Sequence, residues 1–236
     1  MGRAEAVDGS CGMMFGIACS NSESVDRNIT RYRDGTEMDA LIHVIRHGRT
    51  NANKNGLYCG STDISLSEEG IKEILSYKEN GIYPEAELYI TSGMKRTVET
   101  LRLIYGDVSY VTVAGLREYN FGEFEMRSHN ELERRQEYQA WMADEAGDVC
   151  CPRGESKAGF CKRVERGISE VLEEIEKRKA GSAVVVCHGG VIMAIMHILF
   201  PNERNYYEWQ PDNGLGYTLQ YYDGRFTGYR EISPDY

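Results

Sequence analysis

The chain has 236 residues, of which 41% are hydrophobic and 27% charged, a composition typical of a soluble globular protein of one large or two small domains. Its 37 acidic residues outnumber its 27 basic ones, which argues against general binding to nucleic acid or to an anionic membrane. Seven cysteines without a C-x-x-C pair favour a reducing cytoplasm over a disulfide framework. No stretch approaches the roughly 20 apolar residues of a membrane span.

The N-terminal segment is polar, mixed in charge and without apolar periodicity. We therefore expect a poorly structured leader over residues 1–38, followed by one domain over residues 39–236. Residues 16–20 bear a slight likeness to a lipoprotein cleavage site, but the apolar run is short and acidic residues precede it. A variable leader, or a functional start at Met38, is the preferred interpretation.

From Leu41 onward, strand-like and helix-like segments alternate. This alternation predicts an α/β fold with a mainly parallel central sheet flanked by helices. The predicted strands are apolar, often β-branched runs at 41–45, 87–91, 110–113 and 183–187. The predicted helices begin at a capping residue or carry an apolar stripe, and they lie at 68–77, 94–104, 157–179 and 191–199.

Two further segments complete the predicted fold. Residues 115–151 hold no convincing strand and include a predicted helix over 130–142. We interpret them as a helical insertion over the carboxyl edge of the sheet. The C-terminal segment predicts a β-hairpin, with strands at 217–222 and 225–232 around an Asp-Gly turn.

Two of the predicted strands end in a histidine followed by glycine. The first runs into Arg46-His47-Gly48, and the second runs into His188-Gly189. Ligands bind at the carboxyl ends of strands in open α/β sheets, so an arginine and two histidines there indicate chemistry on an anion. His43 shares a strand face with His47, but no third ligand accompanies them. We therefore expect neither a metal nor an organic cofactor.

Other short motifs follow in a fixed order along the chain. They are residues 46–50 (RHGRT) with Asn53, 58–63 (YCGSTD), 66–70 (LSEEG), 92–97 (SGMKRT), 116–123 (LREYNFGE), 154–156 (GES) and 188–190 (HGG). Together they resemble the motifs of the histidine phosphatase superfamily, the phosphoglycerate mutase-like proteins. The resemblance covers about residues 40–232 and implies that family's fold and phosphoryl-transfer chemistry.

The resemblance assigns the central roles in phosphoryl transfer. His47 is the expected nucleophile, since an imidazole can carry a phosphoryl group as a covalent intermediate. Arg46 and Arg96 are the expected phosphate clamps, because a guanidinium fork matches two phosphate oxygens. His188 is the expected second histidine, which, when protonated, would add a third cation around the transferring group.

Glu118 is the expected general acid, because it lies in the motif that carries this residue in the family. Glu123 and Glu125 follow on the same loop and remain alternatives.

The grounds for the remaining expected contacts are weaker. Asn53 is expected at the phosphate, and the possible substrate contacts are Thr50, Cys59, Gly60 and Gly189. Arg49 replaces the acidic residue common at its place in the family. It either adds affinity for a charged substrate or points to solvent.

These features predict a cytoplasmic phosphomonoesterase that acts on a small phosphorylated metabolite through a phosphohistidine on His47, with Glu118 as acid. Its one expected partner is that substrate, and the oligomeric state stays open, with a dimer as one option. The first alternative is a phosphoglycerate mutase, although family mutases have a longer segment between the acid and the second histidine. The second alternative is a non-catalytic phosphate-binding module. Such a module would be expected to lack His47, Arg96 or Glu118, all of which are present.

Overall fold

The computed structural model describes residues 39–234, so the expected leader over residues 1–38 lies outside the described residues. Within that range six strands form one sheet: β1 (Ala40–Arg46), β2 (Leu88–Thr91), β3 (Val111–Thr112), β4 (Ser182–Cys187), β5 (Gly216–Tyr222) and β6 (Arg225–Ile232). Their order across the sheet is β3-β2-β4-β1-β5-β6.

The sheet is mainly parallel, as the sequence predicts. β3, β2, β4 and β1 run in one direction, whereas β5 pairs antiparallel with both β1 and β6. The predicted C-terminal β-hairpin is therefore confirmed. β4 is buried from Ala183 to Cys187, which suits a strand of small and β-branched residues covered on both faces.

Seven α-helices lie within residues 39–234. They are α1 (Asn51–Lys54), α2 (Glu68–Glu79), α3 (Lys95–Tyr105), α4 (His129–Leu132), α5 (Gln136–Ala143), α6 (Lys157–Arg178) and α7 (Gly189–Leu199). The predicted cap of α2 is present, because the Ser67 hydroxyl accepts a hydrogen bond from the Gly70 amide. None of the helices in this part of the chain is long and apolar enough to cross a membrane.

The single helix predicted over residues 130–142 is wrong, since α4 and α5 occupy this segment with a break between them. Arg135 interrupts the helical path with extended backbone angles, φ −78° and ψ 130°. Leu132 and Tyr138 would lie about 120° apart around one continuous helix. The break allows both side chains to be buried in the same core.

The topology brings the ends of three neighbouring strands together. Arg46 at the end of β1 pairs with Cys187 at the end of β4, so His47 and His188 leave the sheet side by side. β2 lies on the other side of β4 and leads through Ser92 into α3. The carboxyl edge of the sheet therefore carries the motifs of three separate chain segments.

Candidate active site

His47 is buried at the end of β1, with 5% of its surface exposed. Its Nδ1 lies 2.7 Å from the Gly48 carbonyl oxygen. Because a carbonyl can only accept, Nδ1 must carry the ring proton, and Nε2 keeps its lone pair. Burial, followed by the charges of Arg96 and Arg46, holds the pKa of His47 well below its usual range. The ring is therefore neutral at neutral pH, as a nucleophile must be.

His188 is completely buried, and its ring centroid lies 5.2 Å from that of His47. Its Nδ1 accepts a hydrogen bond from Arg96 Nε at 3.2 Å, so the proton is on Nε2, which donates to Ser92 Oγ at 2.8 Å. Burial and the Arg96 charge hold the pKa of His188 well below its usual range. The imidazole is therefore neutral in this geometry, and a protonated His188 beside the transferring group stays a prediction.

Arg96 lies in the first turn of α3 and is 1% exposed. Besides its bond to His188, the guanidinium donates to the carbonyl oxygens of Gly60 at 2.8 Å and Thr62 at 3.0 Å. Three of the five guanidinium N–H groups are thus used to fix its plane, which leaves two for an anion. Gly60 reaches Arg96 only because it has no side chain, since a Cβ there would overlap the Tyr119 carbonyl oxygen.

Glu125 holds the loop that carries the two carbonyl groups bound by Arg96. Its carboxylate accepts hydrogen bonds from the backbone amides of Gly60, Ser61 and Thr62 at 2.9–3.2 Å. The Gly60 amide, expected to face substrate, is therefore occupied by Glu125. The role of Glu125 in this geometry is to position Arg96 through the loop.

Glu118 lies in the wall of a cavity that is also lined by Gly190, two residues after His188. Its carboxylate accepts hydrogen bonds from the amides of Tyr119 at 2.9 Å and Gly190 at 3.0 Å. Burial raises the pKa of Glu118, although these two amides and the arginines oppose the shift. A Cβ at Gly190 would collide with the carboxylate, so a larger residue there would displace Glu118 from this position. Glu123, by contrast, pairs with Arg135 and Arg153 near the surface.

Arg46 is partly buried at the end of β1. Its Nη1 donates to the Pro211 carbonyl oxygen at 2.7 Å, and a Cβ at Gly189 would lie 3.1 Å from its Nε. Asn213, in the same C-terminal loop as Pro211, donates from Nδ2 to the His47 carbonyl oxygen at 3.1 Å. The loop before β5 thus binds both Arg46 and His47. No sequence motif pointed to this loop.

Thr50 and Asn53 bind each other at the start of α1. Asn53 Oδ1 accepts from the Thr50 amide and hydroxyl, and Thr50 Oγ1 accepts from the Asn53 amide. The side-chain NH₂ of Asn53 is thus the group suited to an anion. Cys59 is a neutral thiol, since burial raises its pKa. Arg49 pairs with Glu73 at 3.5 Å.

The cavity beside Glu118 has a volume of about 190 Å³. Most of its lining is aromatic and includes Tyr58, Tyr119, Phe121, Trp141, Phe160 and Tyr206. Lys157, Met193 and Gln210 also face it. These residues come from distant parts of the chain. The aromatic residues of the 130–142 segment were therefore only a weak signal for the cavity.

Comparisons with known proteins show what this chain is similar to. The model of the histidine phosphatase superfamily, branch 1, matches residues 42–230. An adenosylcobalamin/alpha-ribazole phosphatase of Escherichia coli strain K12 is 32% identical over 159 residues, which cover 66% of this chain and 76% of that protein. A 2,3-bisphosphoglycerate-dependent phosphoglycerate mutase of Beijerinckia indica is 27% identical, over 69% of this chain and 82% of its own.

A solved structure has the same architecture. The crystal structure of the alpha-ribazole phosphatase from Shigella flexneri superposes with a TM-score of 0.69 at 27% identity, over 79% of this chain and 93% of that one. The chain belongs to the histidine phosphatase superfamily, branch 1. Within that family it is an enzyme of the phosphatase kind.

Proposed function

We propose that the protein hydrolyses a small phosphomonoester in two steps, through a phosphohistidine on His47. The observation that supports this most directly is the hydrogen bond from Nδ1 to the Gly48 carbonyl oxygen, because it leaves the lone pair on Nε2. In the first step Nε2 attacks phosphorus and the ester P–O bond breaks. In the second step water attacks the same phosphorus, the P–N bond breaks, and inorganic phosphate leaves.

The phosphoryl group is bound in this proposal by Arg46, Arg96, His188 and Asn53. Arg96 supports the assignment, because its plane is fixed by three hydrogen bonds and two of its N–H groups remain for phosphate oxygens. Fixed donors of this kind stabilise developing charge without reorganisation during the reaction. An incoming dianionic phosphoryl group would also favour protonation of the neutral His188.

Glu118 is the proposed general acid. Its raised pKa keeps the carboxyl protonated to higher pH than usual, and it lies in the wall of the cavity that would receive the leaving group. The protonated carboxyl donates its proton to the departing alkoxide, and the resulting carboxylate then takes a proton from the attacking water. Thr50, Cys59 and Gly189 would contact substrate or phosphate, whereas Gly60 would act indirectly, because its amide binds Glu125 and its carbonyl oxygen binds Arg96.

Hydrolysis is proposed in preference to mutase chemistry, although relatives of both kinds match the chain. A largely aromatic cavity suits a flat, apolar leaving group better than a glycerate. The Escherichia coli relative is named an adenosylcobalamin/alpha-ribazole phosphatase. The aromatic walls of the cavity make a phosphate ester with a planar ring the first substrate type to test.

The domain limits and the location are also proposals. We propose that residues 39–236 form the catalytic domain and that residues 1–38 are dispensable for catalysis. A cytoplasmic location is supported by free thiols at Cys59, Cys150, Cys151 and Cys187.

The deciding experiment is phosphate trapping. Protein mixed with radiolabelled phenyl phosphate and quenched should carry acid-labile label on wild type and on His197→Asn, a histidine variant outside the site. His47→Asn should carry no label and show no measurable turnover. Label on another residue, or wild-type hydrolysis by His47→Asn, would refute the mechanism. Transfer of the label to 3-phosphoglycerate faster than to water would instead establish a mutase.

A further inference from the structure

We propose that Lys157 is a specificity-determining residue that binds an anionic group on the leaving-group side of the substrate. The preferred substrate would then be a phosphomonoester whose leaving group joins a planar apolar part to an anion such as a carboxylate. This inference rests on the proposed phosphatase function and names the substrate class for the same site.

Lys157 is the first residue of α6 and lines the same cavity as Glu118 and Gly190. It is only 2% exposed. Its Nζ donates to the Asp144 carbonyl oxygen at 2.8 Å and lies 5.6 Å from the centre of the Trp141 ring. The side chain thus lies at the cavity wall, with its ammonium group bound to Asp144 of the insertion and close to the Trp141 ring.

Two features of this position work against a buried cation, although Lys157 is also bound to Asp144. The N-terminus of a helix carries partial positive charge, so a lysine in the first turn of the 22-residue α6 is repelled. Burial also lowers the pKa of the Lys157 ammonium, although the nearby Asp144 charge opposes that shift. An apolar side chain of similar length would avoid both costs, but it would lose the hydrogen bond to the Asp144 carbonyl oxygen. An anionic ligand, however, would gain from both the ammonium and the helix terminus.

The remainder of the cavity defines what accompanies the anion. Lys157 is the one cation among the described residues that line it, and aromatic rings such as Trp141 and Phe121 form the walls. Tyr58 contacts both of these rings, at centroid distances of 6.0 and 5.0 Å. A cavity of roughly 150 Å³ holds a benzene molecule. The volume of about 190 Å³ therefore suits one ring with a small substituent.

The test compares carboxyphenyl phosphates with the matching carbamoylphenyl phosphates, in ortho, meta and para forms. Each pair has nearly the same shape and differs in charge. For at least one isomer, wild type should prefer the carboxylate by roughly tenfold or more in kcat/KM, the worth of one hydrogen bond to a charged group. Lys157→Met should lose most of this ratio, and Lys157→Arg should keep part of it. Lys162→Met, an exposed lysine of the same helix, should keep the wild-type ratio.

The outcomes separate the two proposals. If Lys157→Met lowered kcat/KM equally on the carboxyphenyl and the carbamoylphenyl phosphate of each pair, Lys157 would only tie α6 to Asp144. That result would overturn the inference. The absence of a carboxylate preference in wild type would overturn it without any variant, even if Lys157→Met did not fold. If wild type hydrolysed none of the aryl phosphates, that result would count against the proposed function itself.

Discussion

Replacement of Glu118 by glutamine tests the proposed acid while nearly preserving its shape. The two carboxylate oxygens accept from the Tyr119 and Gly190 amides, and glutamine offers one oxygen for these two donors. One amide then faces an NH₂ group, which should reduce stability by about 1–3 kcal/mol. The catalytic effect should be larger, because loss of a general acid lowers the rate by about 10²–10⁴-fold when the leaving group is a poor one.

The assay compares glycerol phosphate, which has an alkoxide leaving group, with 4-nitrophenyl phosphate. The nitrophenolate departs without a proton, so Glu118→Gln should slow its release far less. In wild type, kcat on glycerol phosphate should fall as pH rises through the raised pKa of Glu118, and the variant should lack this decline. Protonation of Glu118 also stabilises the fold at pH values below the pKa that Glu118 has in the unfolded chain. That contribution is lost as pH rises through the folded pKa, and the variant should not show this loss.

If Glu118→Gln lowered kcat by the same factor on both substrates, the result would refute the acid role. Glu118 would then be a positioning residue. The matched control is Glu123→Gln, because Glu123 lies on the same loop but pairs with Arg135 and Arg153 near the surface. This control should keep wild-type rates on both substrates. A leaving-group-dependent loss in Glu123→Gln would instead identify Glu123 as the acid.

Two further predictions concern Arg96 and the N-terminal segment. Arg96→Lys keeps the charge but loses the fork that reaches Gly60, Thr62 and His188, so kcat/KM should fall by about ten- to a hundredfold and vanadate should bind more weakly. Exposed Arg102→Lys is the control, and wild-type behaviour of Arg96→Lys in both assays would place Arg96 outside the phosphate pocket. A chain that starts at Met38 should keep the melting temperature and kcat/KM of the full chain, because residues 1–37 show no pattern able to bury an apolar face. A marked loss in either measurement would show that those residues contribute to the domain or its site.

The parts of the fold that depend on local patterns could be predicted from the sequence. The strand that ends at Arg46 follows from an apolar, β-branched run, and the helix that begins at Lys157 follows from an apolar stripe with a 3.6-residue period. The 130–142 segment could not be predicted correctly, because the burial of Leu132 and Tyr138 in one core overrides its helical pattern.

The candidate site could also be predicted only in part from the sequence. His47 and His188 were noticed because each follows a strand directly, and motif order pointed to Arg96 and Glu118. Ser92, the hydrogen-bond partner of His188, was missed because their contact joins positions far apart in the chain. Glu125 and Lys157 were not assigned their observed contacts for the same reason. The neutral state of His188 depends on burial and on Arg96, and neither can be seen in a motif.

The Glu125 carboxylate joins two parts of the molecule that could otherwise change separately. The same group that holds the loop behind Arg96 also accepts a hydrogen bond from the amide of Phe121, a residue of the cavity wall. A mutation that reshapes this wall by moving the backbone near Phe121 would therefore disturb the arginine as well. Evolution of a new substrate preference is easier at cavity residues such as Met193 or Tyr206, with which Glu125 makes none of its described hydrogen bonds.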